Sequence, residues 1–218
     1  MKKTIKIPKY TLGEEIVNSI SHGLGSIFSI IALILLIIKS AQTGNPITIV
    51  TSIIFGVSMV ILYTLSCIYH ALSKKTKGKK VLRVLDHCNV FILVYGTYLP
   101  IALIGVKGLT GWILFGIIST TTIIGIIFSS INVDKYAKLE VICHLINGWS
   151  IIIGSNQLLK NGGLAHFLFL IIGGIFYSVG AILYKIGTKK KYFHSIFHFF
   201  CLGGTIFHFI AIYGYLLK

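Results

Sequence analysis

Long apolar stretches separated by short polar breaks make up almost the whole chain. Each stretch has about the 20 residues that a helix needs to cross a hydrocarbon layer of about 30 Å. Membrane-spanning β-strands would be about half as long and would alternate polar with apolar residues. The pattern therefore predicts an all-α fold, a bundle of seven transmembrane helices over residues 16–38, 47–71, 84–104, 112–131, 139–159, 164–186 and 192–217.

Composition agrees with this prediction, because 55% of the 218 residues are hydrophobic and only 11% are charged. Soluble domains carry about 25% charged residues. The net charge of +15 could suggest a nucleic-acid binder, but the apolar runs are too long for a soluble core, so no nucleic-acid partner is expected. We predict a single multi-pass domain over residues 1–218 in the cell membrane, with a basic cytoplasmic tail over residues 1–15 and membrane lipids as partners.

The basic residues predict the orientation of this bundle. Sixteen of the 20 Lys and Arg residues fall on one side of the predicted membrane, in the N-terminal tail and in the breaks near residues 73–83, 135–138 and 185–191. The positive-inside rule then places the N-terminus in the cytoplasm and the C-terminus outside. The split is consistent only with an odd number of spans, which favours seven.

Several titratable residues share one predicted depth, near the cytoplasmic face. Glu15 opens the first span, His70 ends the second, Asp86 opens the third, and His194 and His198 open the seventh. Ionisable groups in spanning segments are costly and usually face a cavity or a partner. We therefore expect a polar site where these helix ends converge.

The candidate metal ligands are His70, His194 and His198. The last two are four residues apart, so they lie on one helix face and can bind one ion. With His70 at the same depth they form a three-histidine set suited to Zn²⁺, with a fourth position left for water or substrate. Cys67 and Cys88 lie close enough to be minor rivals as ligands.

Ser66 and Asp86 are the candidate catalytic residues. A carboxylate at position 86 could hold a water molecule, act as a general base or orient a histidine, and the Ser66 hydroxyl could polarise a carbonyl. An alternative interpretation is that Asp86 only pairs with Arg83. Glu15, Asn18 and His22 share a helix face and are either hydrogen-bond partners of the ligands or an interhelical hydrogen-bond set.

These residues resemble the motifs of the hemolysin III family, the bacterial members of the progestin and adiponectin receptor superfamily. The similarity covers nearly the whole chain and rests on five pieces: Glu14-Glu15-x-x-Asn18-x-x-Ser21-His22-x-x-Gly25, Ser66-x-x-x-His70, Leu85-Asp86-His87 with Tyr95-Gly96-Thr97-Tyr98-x-Pro100, Gly173-Gly174-x-x-Tyr177-x-x-Gly180, and His194-x-x-x-His198 with His208. The resemblance implies zinc held by His70, His194 and His198, with Asp86 contacting the metal through water and Ser66 beside it.

The resemblance implies two functions of different classes. Relatives in the wider superfamily point to zinc-dependent hydrolysis of lipid amides and to membrane-lipid homeostasis, whereas the family name points to a lytic, pore-forming activity. A lipid-sensing receptor with structural zinc is a third hypothesis, and proton transport through Glu15, His22 and His208 is a weaker variant. We favour a hydrolase that acts on a lipid-like amide or ester.

Overall fold

A computed structural model describes residues 5–217, and within that range every regular element is helical. Lys2, Lys3 and Lys218, which count in the charge distribution above, lie outside the described residues. The prediction of an all-α protein is confirmed for the described chain. The α-helices are α1 (Leu12–Gln42), α2 (Pro46–Ala71), α3 (Lys77–Pro100), α4 (Gly108–Asn132), α5 (Ala137–Trp149), α6 (Ser155–Gly187) and α7 (Phe193–Ala211).

Short irregular helices extend three of these elements. The π-helix Ile101–Val106 continues α3 past Pro100, and the π-helix Ile212–Leu216 continues α7. The 3₁₀-helix Ser150–Gly154 joins α5 to α6. With these extensions, six stretches of the described chain are long and apolar enough to cross a membrane.

One of the six stretches is far longer than a single crossing requires. Ala137–Gly187 has 51 residues, which at about 1.5 Å per residue is more than twice the thickness of a bilayer core. The helix is interrupted at Gly163, where φ is 80° and ψ is 175°. Glycine reaches this backbone region without the steric cost that other residues meet, so the break falls where the sequence allows one.

Capping residues determine where the first three helices begin. Thr11 and Glu14 form a capping box at the start of α1, in which each side chain bonds the backbone of the other residue. Asn45 caps α2 just before Pro46, and Thr76 Oγ1 accepts a hydrogen bond from the backbone of Lys79. These side chains satisfy the N–H groups that the first helical turn leaves unpaired.

The structure corrects two boundaries. The break predicted at residues 73–83 is shorter, because α3 begins at Lys77 and takes in Lys79 and Arg83, both of which are buried. Hydropathy alone placed the start of α3 too late, because lysine favours helix and Lys79 is paired with the buried carboxylate of Glu15. Likewise, α1 begins at Leu12, so residues 12–15 of the predicted tail are helical.

Small residues bring α6 and α7 close together. A Cβ atom added to Gly173 would lie 2.3 Å from His208 Cδ2, and one added to Gly204 would lie 3.0 Å from the Tyr177 ring. Glycine at such positions lets helices in a membrane approach closely. Thr205 adds a polar link, because its Oγ1 lies 2.6 Å from Tyr63 Oη and 2.7 Å from Tyr177 Oη.

The helices α1 and α7 run in the same direction. Both begin at one end of the bundle, where Tyr192 N donates to Glu14 Oε1 at 2.8 Å. At the other end, Lys39 Nζ donates to the Tyr213 carbonyl at 2.7 Å. We call the end that carries Glu14 the site end and the end that carries Lys39 the far end.

Candidate metal centre

Three histidines converge inside the site end of the bundle. His70 comes from the last turn of α2, and His194 and His198 come from the first turns of α7. All three are buried, and each offers a ring nitrogen within 4.8 Å of the others. The Nε2 atoms of His194 and His198 are 3.2 Å apart, close to the separation of about 3.3 Å expected for two nitrogens that bind one tetrahedral ion.

Hydrogen bonds on the opposite side of the rings set the tautomers. His70 Nδ1 donates to Glu15 Oε2 at 2.7 Å, and His198 Nδ1 donates to the Asn18 carbonyl at 3.3 Å. A protonated Nδ1 leaves Nε2 with a free lone pair, the form that a metal needs. His70 Nε2 is buried without a partner in the described chain. Both this unpaired nitrogen and the set of three imidazole groups fit a metal ion.

Glu15 links the histidines to a buried lysine. Its second oxygen, Oε1, accepts a hydrogen bond from Lys79 Nζ at 2.7 Å. The Lys79 side chain is only 1% exposed, and its ammonium group also donates to the Leu72 carbonyl at 2.9 Å. The carboxylate is thereby held in place and kept charged, which makes the His70 ring a stronger metal ligand.

Glu15, Asn18 and His22 on α1 were expected near the candidate metal ligands, and all three lie there. Glu15 bonds a ring nitrogen of His70, Asn18 bonds one of His198, and His22 contacts the His198 ring. The His22 ring stacks on His198 with 3.7 Å between centroids. Neither nitrogen of His22 has a partner in the described chain. Its contact with the site is therefore through the faces of the two rings.

Ser66 and Asp86 line the same cavity as His194 and His198. Ser66 Oγ is buried without a hydrogen-bond partner among the described residues. Asp86 is half-buried, and its carboxylate has no hydrogen bond or ion pair within residues 5–217. Both groups are therefore available to a molecule in the cavity.

The alternative pairing of Asp86 with Arg83 does not occur. Arg83 Nη2 instead donates to Asp134 Oδ1 at 2.8 Å. Asp134 lies between α4 and α5, so this ion pair joins α3 to a different part of the chain. Arg83 and Asp86 are three residues apart on one helix face, so the sequence suggested that they pair. A local pattern cannot predict a partner such as Asp134, which comes from another part of the chain.

The segment before α1 lies over the histidines. The Tyr10 ring stacks on His194 with 4.8 Å between centroids, and burial raises the pKa of its phenol, so it stays neutral. Lys74 Nζ and Arg83 Nη1 donate to the carbonyls of Tyr10 and Lys6. Pro8 and Tyr10 of this segment thus form part of the cavity wall at the site end.

Asp134 anchors the same segment. Its Oδ2 accepts a hydrogen bond from the Lys6 backbone N–H at 3.2 Å. Partial burial alone would raise the pKa of Asp134, but the hydrogen bonds from Arg83 and Lys6 outweigh burial and hold that pKa below its usual range. The carboxylate is therefore charged at neutral pH and keeps both contacts.

The cavity beside the histidines has a volume of about 190 Å³ and extends toward the middle of the bundle. Its walls come mainly from α3, α5, α6 and α7. Apart from the polar groups at the site end, they are largely apolar, with Leu93, Ile101, Ile151 and Leu170 among them. An apolar chain with a polar group at one end matches this shape and chemistry.

Sequence reasoning missed several residues that contact the candidate site. Tyr10 was assigned to the basic cytoplasmic tail, and Lys79 to a basic loop. Ser21 Oγ lies 3.3 Å from His198 Nδ1, and its place in the motif around Asn18 was the available signal. The two rival ligands lie elsewhere: Cys67 Sγ is 3.5 Å from Ser19 Oγ and Cys88 Sγ is 3.5 Å from Ser130 Oγ, so neither joins the three-histidine group.

Six long apolar helical stretches around three buried histidines define the class of protein: a multi-pass cell-membrane protein with a helical bundle and a site that could hold a metal ion. The haemolysin-III related family matches residues 10–209. The chain belongs to that family, which confirms the resemblance and the membrane location predicted from the sequence.

Individual relatives agree with this assignment. The chain is 41% identical over 204 residues to "Hemolysin-3" of Bacillus cereus, covering 94% of this chain and 92% of the relative. It is 39% identical over 209 residues to "Hemolysin-3 homolog" of Bacillus subtilis (strain 168), covering 96% and 97%. A more distant similarity, 24% over 176 residues, links it to "Monocyte to macrophage differentiation factor" of Homo sapiens, covering 78% and 71%.

Proposed function

We propose that this protein is a zinc-dependent membrane hydrolase that cleaves an amide or ester of a lipid-like substrate. The observation that carries the proposal is the convergence of three imidazole nitrogens, two of them from histidines that line the polar end of a largely apolar cavity. Sites that bind small molecules are commonly apolar cavities with a few converging polar groups. A lipid chain would occupy the apolar part and place its polar linkage beside the histidines.

Zinc is the metal that suits this donor set best. Imidazole is a preferred zinc ligand, and catalytic zinc sites commonly use three protein ligands and leave a fourth position open. The Glu15–His70 contact of 2.7 Å is the carboxylate–histidine pair that supports zinc ligands in many proteins. Zn²⁺ held by His70, His194 and His198 would supply Lewis acidity at a substrate carbonyl.

Asp86 and Ser66 carry the remaining steps in this proposal. The free Asp86 carboxylate takes a proton from the attacking water and delivers it to the leaving amine or alcohol. The unpartnered Ser66 hydroxyl donates a hydrogen bond to the oxygen on which negative charge develops. Both groups line the cavity.

The proposal includes seven membrane crossings with the N-terminus in the cytoplasm. The parallel directions of α1 and α7 support an odd number of crossings. In this proposal the chain turns back at Gly163, because Asn161 beside it donates a hydrogen bond at 2.8 Å to the Gly105 carbonyl, in the far-end π-helix that continues α3. Among residues 5–217, 14 of the 17 Lys and Arg residues belong to segments at the site end, which supports a cytoplasmic site end.

The test combines metal analysis with lipid turnover. The purified protein is expected to hold about one zinc per chain, and His70→Ala and His194→Ala are expected to lose it. Asp86→Asn should keep its zinc and lose the release of fatty acid from membrane-lipid extracts. Ser66→Ala should also keep its zinc and turn over about 10²–10³-fold more slowly, the usual cost of one oxyanion donor.

Two results would contradict the proposal. Zinc retained in both histidine variants would remove the metal site. Stoichiometric zinc without turnover in a broad lipid screen would instead favour a lipid-sensing receptor with structural zinc.

Lysis is a second candidate, favoured by the name of the Bacillus cereus relative. A toxin must reach a foreign membrane in soluble form, whereas this chain exposes apolar side chains along most of its helices. Detergent-free supernatant of expressing cells is therefore expected not to lyse erythrocytes. Lysis that is equally strong with His198→Ala would support a lytic function independent of the histidines.

A further inference from the structure

A second polar cluster lines the same cavity as His194 and His198. His87 on α3 and Glu140 on α5 form a short contact, 2.7 Å between Nδ1 and Oε1, and their side chains are 11% and 12% exposed. His144 follows Glu140 by one turn and stacks on Phe91 with 3.9 Å between ring centroids. All three polar residues line the cavity, and none belongs to the three-histidine group.

One aromatic ring, that of Tyr184, lies near both clusters. The Tyr184 centroid lies 5.6 Å from that of His194 and 6.1 Å from that of His87. A molecule with its reacting bond at the three histidines would therefore bring a neighbouring polar group to the second cluster. This spacing suits two parts of one lipid head.

His144 leaves hydrogen-bonding capacity unused. Both of its ring nitrogens are buried and have no partner in the described chain. Buried polar groups are normally paired, because leaving one unpaired costs free energy. A ligand in the cavity that hydrogen-bonds to this ring would remove that cost.

The charges around the second cluster favour a cation. Among the described residues that line the cavity, the carboxylates are Asp86 and Glu140, and the one Lys or Arg side chain is Arg83. Arg83 is already paired with Asp134. Glu140 uses Oε1 for His87, so Oε2 remains to accept a hydrogen bond from a ligand.

We propose that Glu140 and His144, oriented by His87, form a head-group subsite that binds a protonated primary amine of a lipid-like molecule. An ammonium group offers three N–H donors and no acceptor. Glu140 Oε2 takes one of them and the unprotonated nitrogen of His144 takes a second. The subsite deepens the proposed hydrolase function, on which its role in substrate choice rests, but amine binding itself requires no catalysis.

The test measures binding in the full-length protein with Trp149 as the reporter. Trp149 lines the cavity, and Trp112→Phe removes the other tryptophan of the chain. Two ligands are compared in the same non-ionic detergent at pH 7: 12-bromododecylamine and 12-bromododecanol. They share a chain whose bromine quenches indole emission, and they differ in the charge of the head group.

We expect the amine to quench Trp149 at a concentration at least tenfold lower than the alcohol. Glu140→Gln and His144→Leu should abolish this preference. His87→Gln leaves the Glu140 carboxylate in place and supplies an amide that can still donate a hydrogen bond to it, so this variant should retain the preference. Glu14→Gln makes the same chemical change in a carboxylate that does not line the cavity, and it should also retain the preference.

Equal binding of the two ligands by the parent protein would overturn the subsite, as would an amine preference that survives Glu140→Gln. Misfolding is controlled by zinc content, which Glu140→Gln should leave unchanged. The His198→Ala variant separates the two proposals. An amine preference that persists there supports the subsite even if the hydrolase proposal fails, whereas its loss would place the amine at the histidines and refute the subsite.

Discussion

In the proposed zinc site, the Glu15 carboxylate would link the stability of the bundle to the affinity for metal, and Glu15→Gln tests that link. The substitution keeps the size of the side chain and removes its charge. Lys79, whose side chain is 1% exposed, would then be a buried ammonium without a counter-ion. His70 Nδ1 could still donate to the amide oxygen, but to a weaker acceptor than a carboxylate.

The two consequences have different magnitudes. Removing one partner of a buried ion pair costs about 3–5 kcal/mol. Lys79 keeps the Leu72 carbonyl at 2.9 Å, so we expect the lower end, about 3 kcal/mol in the free energy of unfolding. Losing the partner of a metal-binding histidine costs about 10–100-fold in affinity, so the zinc Kd should rise by that factor.

A double variant separates these effects. Glu15→Gln combined with Lys79→Met removes both charges, so most of the lost stability should return, because no buried charge remains unpaired. The zinc affinity should stay low, since His70 still lacks its carboxylate. The measurements are reversible unfolding in mixed micelles without metal, and competition for zinc with a chelator of known affinity. A double variant as unstable as Glu15→Gln, or an unchanged zinc Kd in Glu15→Gln, would refute the reasoning.

Two further predictions concern helix packing and the segment over the site. Gly173→Ala would place a Cβ atom 2.3 Å from the His208 ring and should lower the free energy of unfolding by about 1–3 kcal/mol, measured by thermal unfolding. Gly174→Ala is the control, because a Cβ atom there has nothing within 4 Å, and it should not destabilise the protein. Equal stabilities of the two variants would contradict the packing argument. Because the pKa of Asp134 is lowered in the folded chain, its anchoring is complete above the ordinary aspartate pKa of about 4 and is lost as the pH falls through the lowered pKa of the folded state. Hydrogen exchange of the Lys6 amide, corrected for its intrinsic rate, should therefore stay constant from pH 7 to about pH 4 and become faster as the pH is lowered further, and Asp134→Asn should show the faster exchange at pH 7. Exchange that does not respond to either change would contradict the anchor.

Apolar patterning was sufficient to predict the helical class and the membrane location. Runs of about 20 apolar residues leave few alternatives, because a backbone in lipid has to satisfy its hydrogen bonds within each segment. The same pattern misplaced the start of α3, since it reads Lys79 as solvent-exposed while the folded chain buries it against Glu15. A local pattern cannot represent a charge that another helix neutralises.

The histidine cluster could be predicted from the order and direction of the predicted spans. Topology fixes which end of each helix lies at which depth, so His70, His194 and His198 could be assigned to one level of the bundle. The pairing of Arg83 with Asp134 could not be predicted, nor could the stacking of Tyr10 on His194. Those contacts join residues far apart in sequence, and no spacing rule connects them.

The sequence by itself determined that this protein lies in a membrane, that its segments are helical and that its titratable groups share one depth in the bundle. It could do so because hydropathy and charge act on each segment separately. The tertiary structure alone decided which nitrogen of His70 and His198 stays free for a metal, and which carboxylates are paired and which face the cavity. Those outcomes depend on the distances between side chains from different helices, and only the packed bundle sets those distances.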